Sequence, residues 1–377
     1  MLTDAEIFSL LSYRRLDLEH QVISSPAAPP DEAPLDFQNL CRGSLGQLGT
    51  LPLELLHEVI RFCTLHALIS LGFVNRFATV LVSSSSPYTL IAAHAPKLLA
   101  TLLATDTAFY YTAAEIWDII CSPLCCVCGY YGQYLYMPEC VRCCERCLRR
   151  SPRFWPITPD TMEKAYGMTE PMLRRAGVAI IKSLPGARIT DNKVSVDWPM
   201  SFRYMSERAA WEEAVRWHGR EDVLMRYVNR RPLAKQLHET RLYGIDWYIN
   251  EEEHESRYRA TTNLPYFDQA TKTIERGICC KGCRETARRL YNSHVHSIYW
   301  SDGDREAVKM SGRAYTRKSF LGHIRKCPES LALLKSRGKK LPGDDAVTDG
   351  EVDRHAWDIP ETDSDPAPAK KDGDAAP

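Results

Sequence analysis

No apolar run in this 377-residue chain reaches membrane-spanning length. The most apolar stretch, Leu90 to Leu103, is broken by His94, Pro96 and Lys97, whereas a bilayer core needs about 20 consecutive apolar residues. The start, Met1-Leu2-Thr3-Asp4-Ala5-Glu6, has no basic region ahead of an apolar segment, so the pattern of a secretory signal is missing. Net charge is missing too. The 48 basic residues balance the 48 acidic ones, and no global field draws the chain toward nucleic acid or membrane. There is no Gly-x-Ser-x-Gly elbow, no phosphate loop and no His-Glu-x-x-His. Solenoid and propeller repeats are likewise absent. The expectation is a non-enzymatic protein working away from membranes.

Cysteine, by contrast, is plentiful: the chain has 14. Disulfide frameworks belong to small secreted chains. In a chain of this size without a signal, the thiols read as reduced, intracellular (cytoplasmic or nuclear) and available for metal. Two constellations stand out. Cys125-x2-Cys128 is followed fifteen residues on by Cys144-x2-Cys147, and Cys280-x2-Cys283 is followed thirty-nine residues on by His323-x3-Cys327. Each supplies four soft ligands at tetrahedral zinc spacing. Neither has an evident water-activating carboxylate or open position, so two structural zinc ions are expected rather than catalytic ones.

Seven cysteines within the 23 residues from Cys125 to Cys147 leave other registers open. Cys140 and Cys143 form an alternative pair, and Cys126 is an alternative to Cys125. Gly129 relaxes the backbone after the first knuckle. Arg142, Arg146, Arg149 and Arg150 are placed to offset the excess negative charge of four thiolates. At the second site His323 and Cys327 are expected on one face of a short helix over 318–326, stopped by Pro328. Cys280 and Cys283, with Gly282 between them, form the expected knuckle. Cys279 is an alternative to Cys280, and His294 and His296 compete for the fourth position.

The rest of the chain reads as mainly helical with small β elements. Thr3 and Glu6 make a capping box for a helix over 3–20. Residues 24–36 form a proline-rich linker. Three short helices follow between Leu51 and Val82. Leu55, Leu56, Val59, Ile60 and Cys63 form one stripe, Leu68 and Leu71 mark the second helix, and Asn75 caps a third with Phe77, Val80 and Leu81 inward. Leu90–Leu103 and Ala113–Ile120 suggest two more helices. Further on come a helical stretch over 158–183, a hairpin over 187–198 around Asp191-Asn192, two amphipathic helices around Trp211 and Leu224, and strands over 264–278. Arginines interleave with Trp211, Trp217 and Tyr227. The acidic residues among them favour a solvated helix face over a nucleic-acid site. The segment 343–377 holds eleven acidic and three basic residues and reads as a disordered tail.

The segment Leu51-Pro52-Leu53-Glu54-Leu55-Leu56-His57-Glu58-Val59-Ile60, continued by Leu68, Ile69, Leu71 and Val74-Asn75-Arg76, resembles an F-box. Cys63 stands where that family commonly has a leucine, Ala67 where it has an acidic residue, and Phe77 lies one place before its usual tryptophan. The cysteine-rich body is similar to that of a group of fungal F-box proteins. The resemblance implies a trihelical module that docks on the Skp-family linker of a cullin-based ubiquitin ligase, while the body selects an unknown protein substrate. Leu51 and Pro52 would be contacts, with Leu55, Ile60, Leu68, Leu71 and Val74 contacting the linker or supporting the helices. The implied organisation is an extension over 1–47, an F-box over 48–90, a connector with the first zinc site over 91–157, an α+β body with the second over 158–335, and the tail over 336–377. The rival reading is a zinc-dependent nucleic-acid-binding or regulatory protein without ligase association.

Overall fold

The computed structural model describes residues 2–15, 19–20, 22–23, 44–189, 195–198, 200–243, 251–293 and 301–336. The linker over 24–36, the Asp191-Asn192 turn, His294, His296 and the acidic segment lie outside these residues. The fold is mainly helical with small two- and three-stranded sheets. Among the described residues no helix is long and apolar enough to cross a membrane.

The three expected short helices are Leu53–Phe62, Leu65–Gly72 and Arg76–Ser83. Pro52 occupies the N-cap position of the first. Thr64 and Asn75 cap the next two, each accepting from a backbone N–H three residues on, at 3.3 and 2.9 Å. Leu56, Ile60, Leu65, Leu68, Ile69, Leu81 and Val82 face inward. Their core continues through Ile91, Leu102, Ile116 and Ile120 to Tyr134, Tyr136, Cys143 and Leu148. The expected stripe on the first helix is therefore divided: Leu56 and Ile60 are buried, while Leu55 and Val59 are exposed. Phe77 and Val80, expected inward, also point outward, and only Leu81 of that set is buried. Leu90–Leu103 forms not one helix but parts of two, Ser86–His94 and Pro96–Ala104. Pro96 cannot continue the first, because it lacks an N–H and disfavours helical backbone at Ala95, and it opens the second instead.

A second core gathers Trp155, Met162, Tyr166, Trp211, Leu224 and Val228. It joins the helices Pro159–Tyr166, Glu207–His218 and Glu221–Val228. The expected 158–183 helix is interrupted at Gly167, which takes a left-handed φ of 75°. The hairpin strands pair antiparallel over Gly186–Ile189 and Ser195–Trp198.

A third core is assembled from the two ends of the described chain. Leu2, Ile7 and Leu11 pack with Phe320, Ile324, Leu334 and the cysteines 280, 283 and 327. The N-terminal helix is Asp4–Leu11, shorter than the 3–20 expectation, and its Thr3–Glu6 capping box is present. It ends because the chain turns extended at Ser12–Tyr13, which pairs antiparallel with Cys279–Cys280.

Candidate metal centres

Among the described residues two clusters could hold metal ions: Cys125, Cys128, Cys144 and Cys147, and Cys280, Cys283, His323 and Cys327. Within each, all four candidate ligand atoms lie within 4.8 Å of one another. Sulfurs about 2.3 Å from a tetrahedral ion stand about 3.8 Å apart, and a sulfur and an imidazole nitrogen about 3.6 Å. The Cys128–Cys144 sulfurs are 3.6 Å apart. In the second cluster, Cys327 lies 3.7 Å from Cys283 and 3.9 Å from Cys280, and His323 Nε2 lies 3.4 Å from Cys283 Sγ. These separations exclude disulfides, which need about 2.0 Å, and they match the edges of a tetrahedron around one cation. The alternative registers through Cys126, Cys140, Cys143 and Cys279 are not the ones brought together.

At the first centre, Cys125 and Cys128 sit on a tight turn. Gly129 adopts a left-handed φ of 68°, and its N–H donates to Cys125 O at 3.0 Å. Cys144 caps the short helix Glu145–Arg150, and its sulfur accepts from the Cys147 N–H at 3.4 Å. The buried Arg257 closes the other end of this helix, donating to Leu148 O and Ser151 O, each at 2.8 Å. Arg142 is not an exposed counter-charge. It is buried, and its guanidinium donates to the carbonyls of Ile119, Ile120, Gly132, Leu264 and Pro265. The sequence order of charge misled here because strand Val141–Cys143 turns that side chain into the core. Arg149 pairs instead with Glu145 at 3.2 Å.

The second cluster brings the expected residues together on a different frame. Cys280 is not in a free knuckle; it caps the helix Lys281–Asn292, and its sulfur accepts from the Cys283 N–H at 3.5 Å. Gly282 is required there because a Cβ would meet Ser330 N at 2.6 Å. His323 lies on the helix Arg317–Ile324, but that helix stops before Cys327, which instead caps Pro328–Lys335. Pro328 thus starts a helix as well as ending the chain's previous turn. All four ligands are buried. Sequence spacing did not reveal Ser330, whose Oγ is 3.0 Å from Cys280 Sγ, or Tyr315, whose hydroxyl is 3.3 Å from His323 Nδ1.

Crowding of the thiols splits them within each cluster: one sulfur is most strongly favoured as thiolate while Cys144, Cys147 and Cys283 are pushed up by the thiolate beside them. Hydrogen bonds from Cys128, Cys144 and Cys147 hold the Cys125 thiol far below its ordinary value. Cys283 and Cys327 hold Cys280 down to about 3. Burial does the opposite to the unused Cys140 and Cys143, pushing both thiols up. A thiolate binds metal whereas a thiol does not; Cys125 and Cys280 are thus the sulfurs most ready to bind, and it is the separations that distinguish the candidate ligands from their neighbours.

The seven residues read as partner contacts do not share one environment. Pro52, Leu55 and Val74 are exposed, Leu51 and Leu71 half-buried, and Ile60 and Leu68 buried. Residues that the spacing left out of this set join the exposed ones: Leu53 at 53%, Phe62 at 77%, Phe77 at 50% and Val80 at 64%. The arginine-rich helices over 207–228 are laced with ion pairs, including Arg208–Glu212 at 3.3 Å, Arg216–Glu213 at 2.9 Å and Arg220–Asp222 at 2.8 Å. No family model, curated protein or solved structure matches the chain.

Proposed function

We propose that the chain is a substrate-recruiting adaptor of a Skp–cullin–F-box ubiquitin ligase, with two zinc ions bracing a body that binds the protein to be modified. One observation carries this reading. Leu53, Leu55, Val59 and Phe62 lie exposed on the first short helix, Phe77 and Val80 on the third, and Val74 in the turn that leads into it. Large apolar side chains concentrated on one short stretch mark a protein–protein contact in a soluble domain. Linker helices laid against this face would bury it, while Ile60 and Leu68 hold the helices from within. The chain would perform no chemistry. It would raise the effective concentration of a target lysine near the charged ubiquitin carrier. Zinc suits the ligand sets because soft thiolates and imidazole in closed tetrahedra are its structural sites.

Co-purification with a Skp-family linker tests the reading. The parent chain should retain the linker, and the double change Leu51→Ala, Pro52→Ala should release it without changing metal content. No retention by the parent, or unchanged retention by the variant, refutes the assignment.

A further inference from the structure

His323 offers two ring nitrogens, and only one can meet a cation. Its Nε2 faces the ligand set, 3.4 Å from Cys283 Sγ. Its Nδ1 faces the Tyr315 hydroxyl at 3.3 Å. A neutral imidazole has one proton, so the metal-binding nitrogen must be bare and the other must donate. We infer that Tyr315 is the positioning residue of the second centre. Its phenol oxygen accepts the Nδ1 proton, selects the tautomer with a free lone pair on Nε2, and fixes the plane of the ring.

Tyr315 is built for that task. It is buried, and its backbone is stapled to the strand that leads into the first ligand pair. The Tyr315 N–H donates to Ile278 O at 2.8 Å, and the Ile278 N–H donates to Tyr315 O at 3.0 Å. Ile278 lies just ahead of Cys279–Cys280. The Tyr315 ring stacks on that of His323, with centroids 4.6 Å apart and planes at 20°, and meets Phe320 edge-on. One side chain thus ties the histidine of one ligand pair to the backbone of the other. Groups that hold the outer nitrogen of a ligating histidine tune affinity through orientation and basicity, about 10–100-fold. The inference rests on the second cluster being a metal centre, not on the ligase reading.

The test is a double-mutant cycle on the full chain, with cobalt(II) as the probe in competition with a chromophoric chelator. Tyr315→Phe keeps the stacked ring and removes the acceptor. It should weaken cobalt binding about 10–100-fold and alter the ligand-field absorption. In a His323→Cys chain the same change should leave the affinity untouched, because no imidazole remains to orient. The first centre is common to all four chains and cancels. Equal affinity of Tyr315→Phe and the parent overturns the proposal, as does an equal loss in both backgrounds. Nitrogen-15 shifts of the His323 ring in the zinc-loaded parent give a direct second reading: a proton on Nδ1 supports the proposal and a proton on Nε2 overturns it. A parent chain that binds cobalt only at its first centre removes the metal centre itself, a separate result.

Discussion

Cys283→Ser should detach the N-terminal helix, although its last residue, Leu11, lies 272 residues before Cys283 in sequence. Leu2, Ile7 and Leu11 are 8%, 2% and 1% exposed because residues 278–334 cover them. Burial of three such side chains is worth about 5–9 kcal/mol, an upper figure because the unfolded chain hides some apolar surface. An eight-residue helix has no stability of its own to set against that loss. Its remaining ties, Ser12–Tyr13 pairing with Cys279–Cys280 and the Lys281 ammonium donating to Ser9 O at 2.9 Å, belong to the same module. Structural zinc contributes about 10–16 kcal/mol at a Cys-rich site, as much as the whole stability of an ordinary domain. The substitution leaves the remaining ligands as uncompensated buried groups. Hydrogen exchange read by mass spectrometry should show the 4–11 amides losing protection together with 281–292 and 317–334, while 98–104 and 113–121 keep theirs. Retained protection over 4–11 in a variant that has lost its second metal ion would refute the coupling.

Metal analysis of the parent should give two ions per chain, falling to one for Cys128→Ser; Cys126→Ser and Cys140→Ser should still give two, and one ion for either would restore an alternative register. Arg142→Met should lower stability by about 3–5 kcal/mol, because five backbone carbonyls lose a buried charged donor. Arg142→Lys should recover little of this in urea unfolding, since a point charge cannot reach that fork of acceptors.

The ligand sets were legible in the sequence because knuckle spacing is a local property. So were the caps at Thr3 and Asn75, where one side chain answers one nearby N–H. What spacing could not give was the frame. His323-x3-Cys327 fits one helical face, yet the chain breaks after Ile324 and Cys327 opens the next helix. Four ligands bound to one point tolerate either path. Nor could periodicity tell inside from outside on the short helices. Leu55, Leu56, Val59 and Ile60 satisfy one stripe wide enough to face both a core and a partner, and the sequence assigns no side to either edge. The docking of residues 2–13 was invisible for a different reason: strand pairing at such separation leaves no periodic trace, and Ser12-Tyr13 is too short to announce itself.

The architecture gives a physical reason for two metal centres. Helices in the described residues run from six to twelve residues, too short to persist without tertiary packing. The third core is small, and three of its buried members, Cys280, Cys283 and Cys327, are themselves candidate ligands. Those thiols do double work as apolar volume and as charge. Without a cation the collapsed module would have to bury the Cys280 thiolate in an apolar setting, which is costly, or protonate that sulfur against the neighbours that hold it down. With a metal ion bound, the second module and the N-terminal helix packed on it are expected to fold and unfold together.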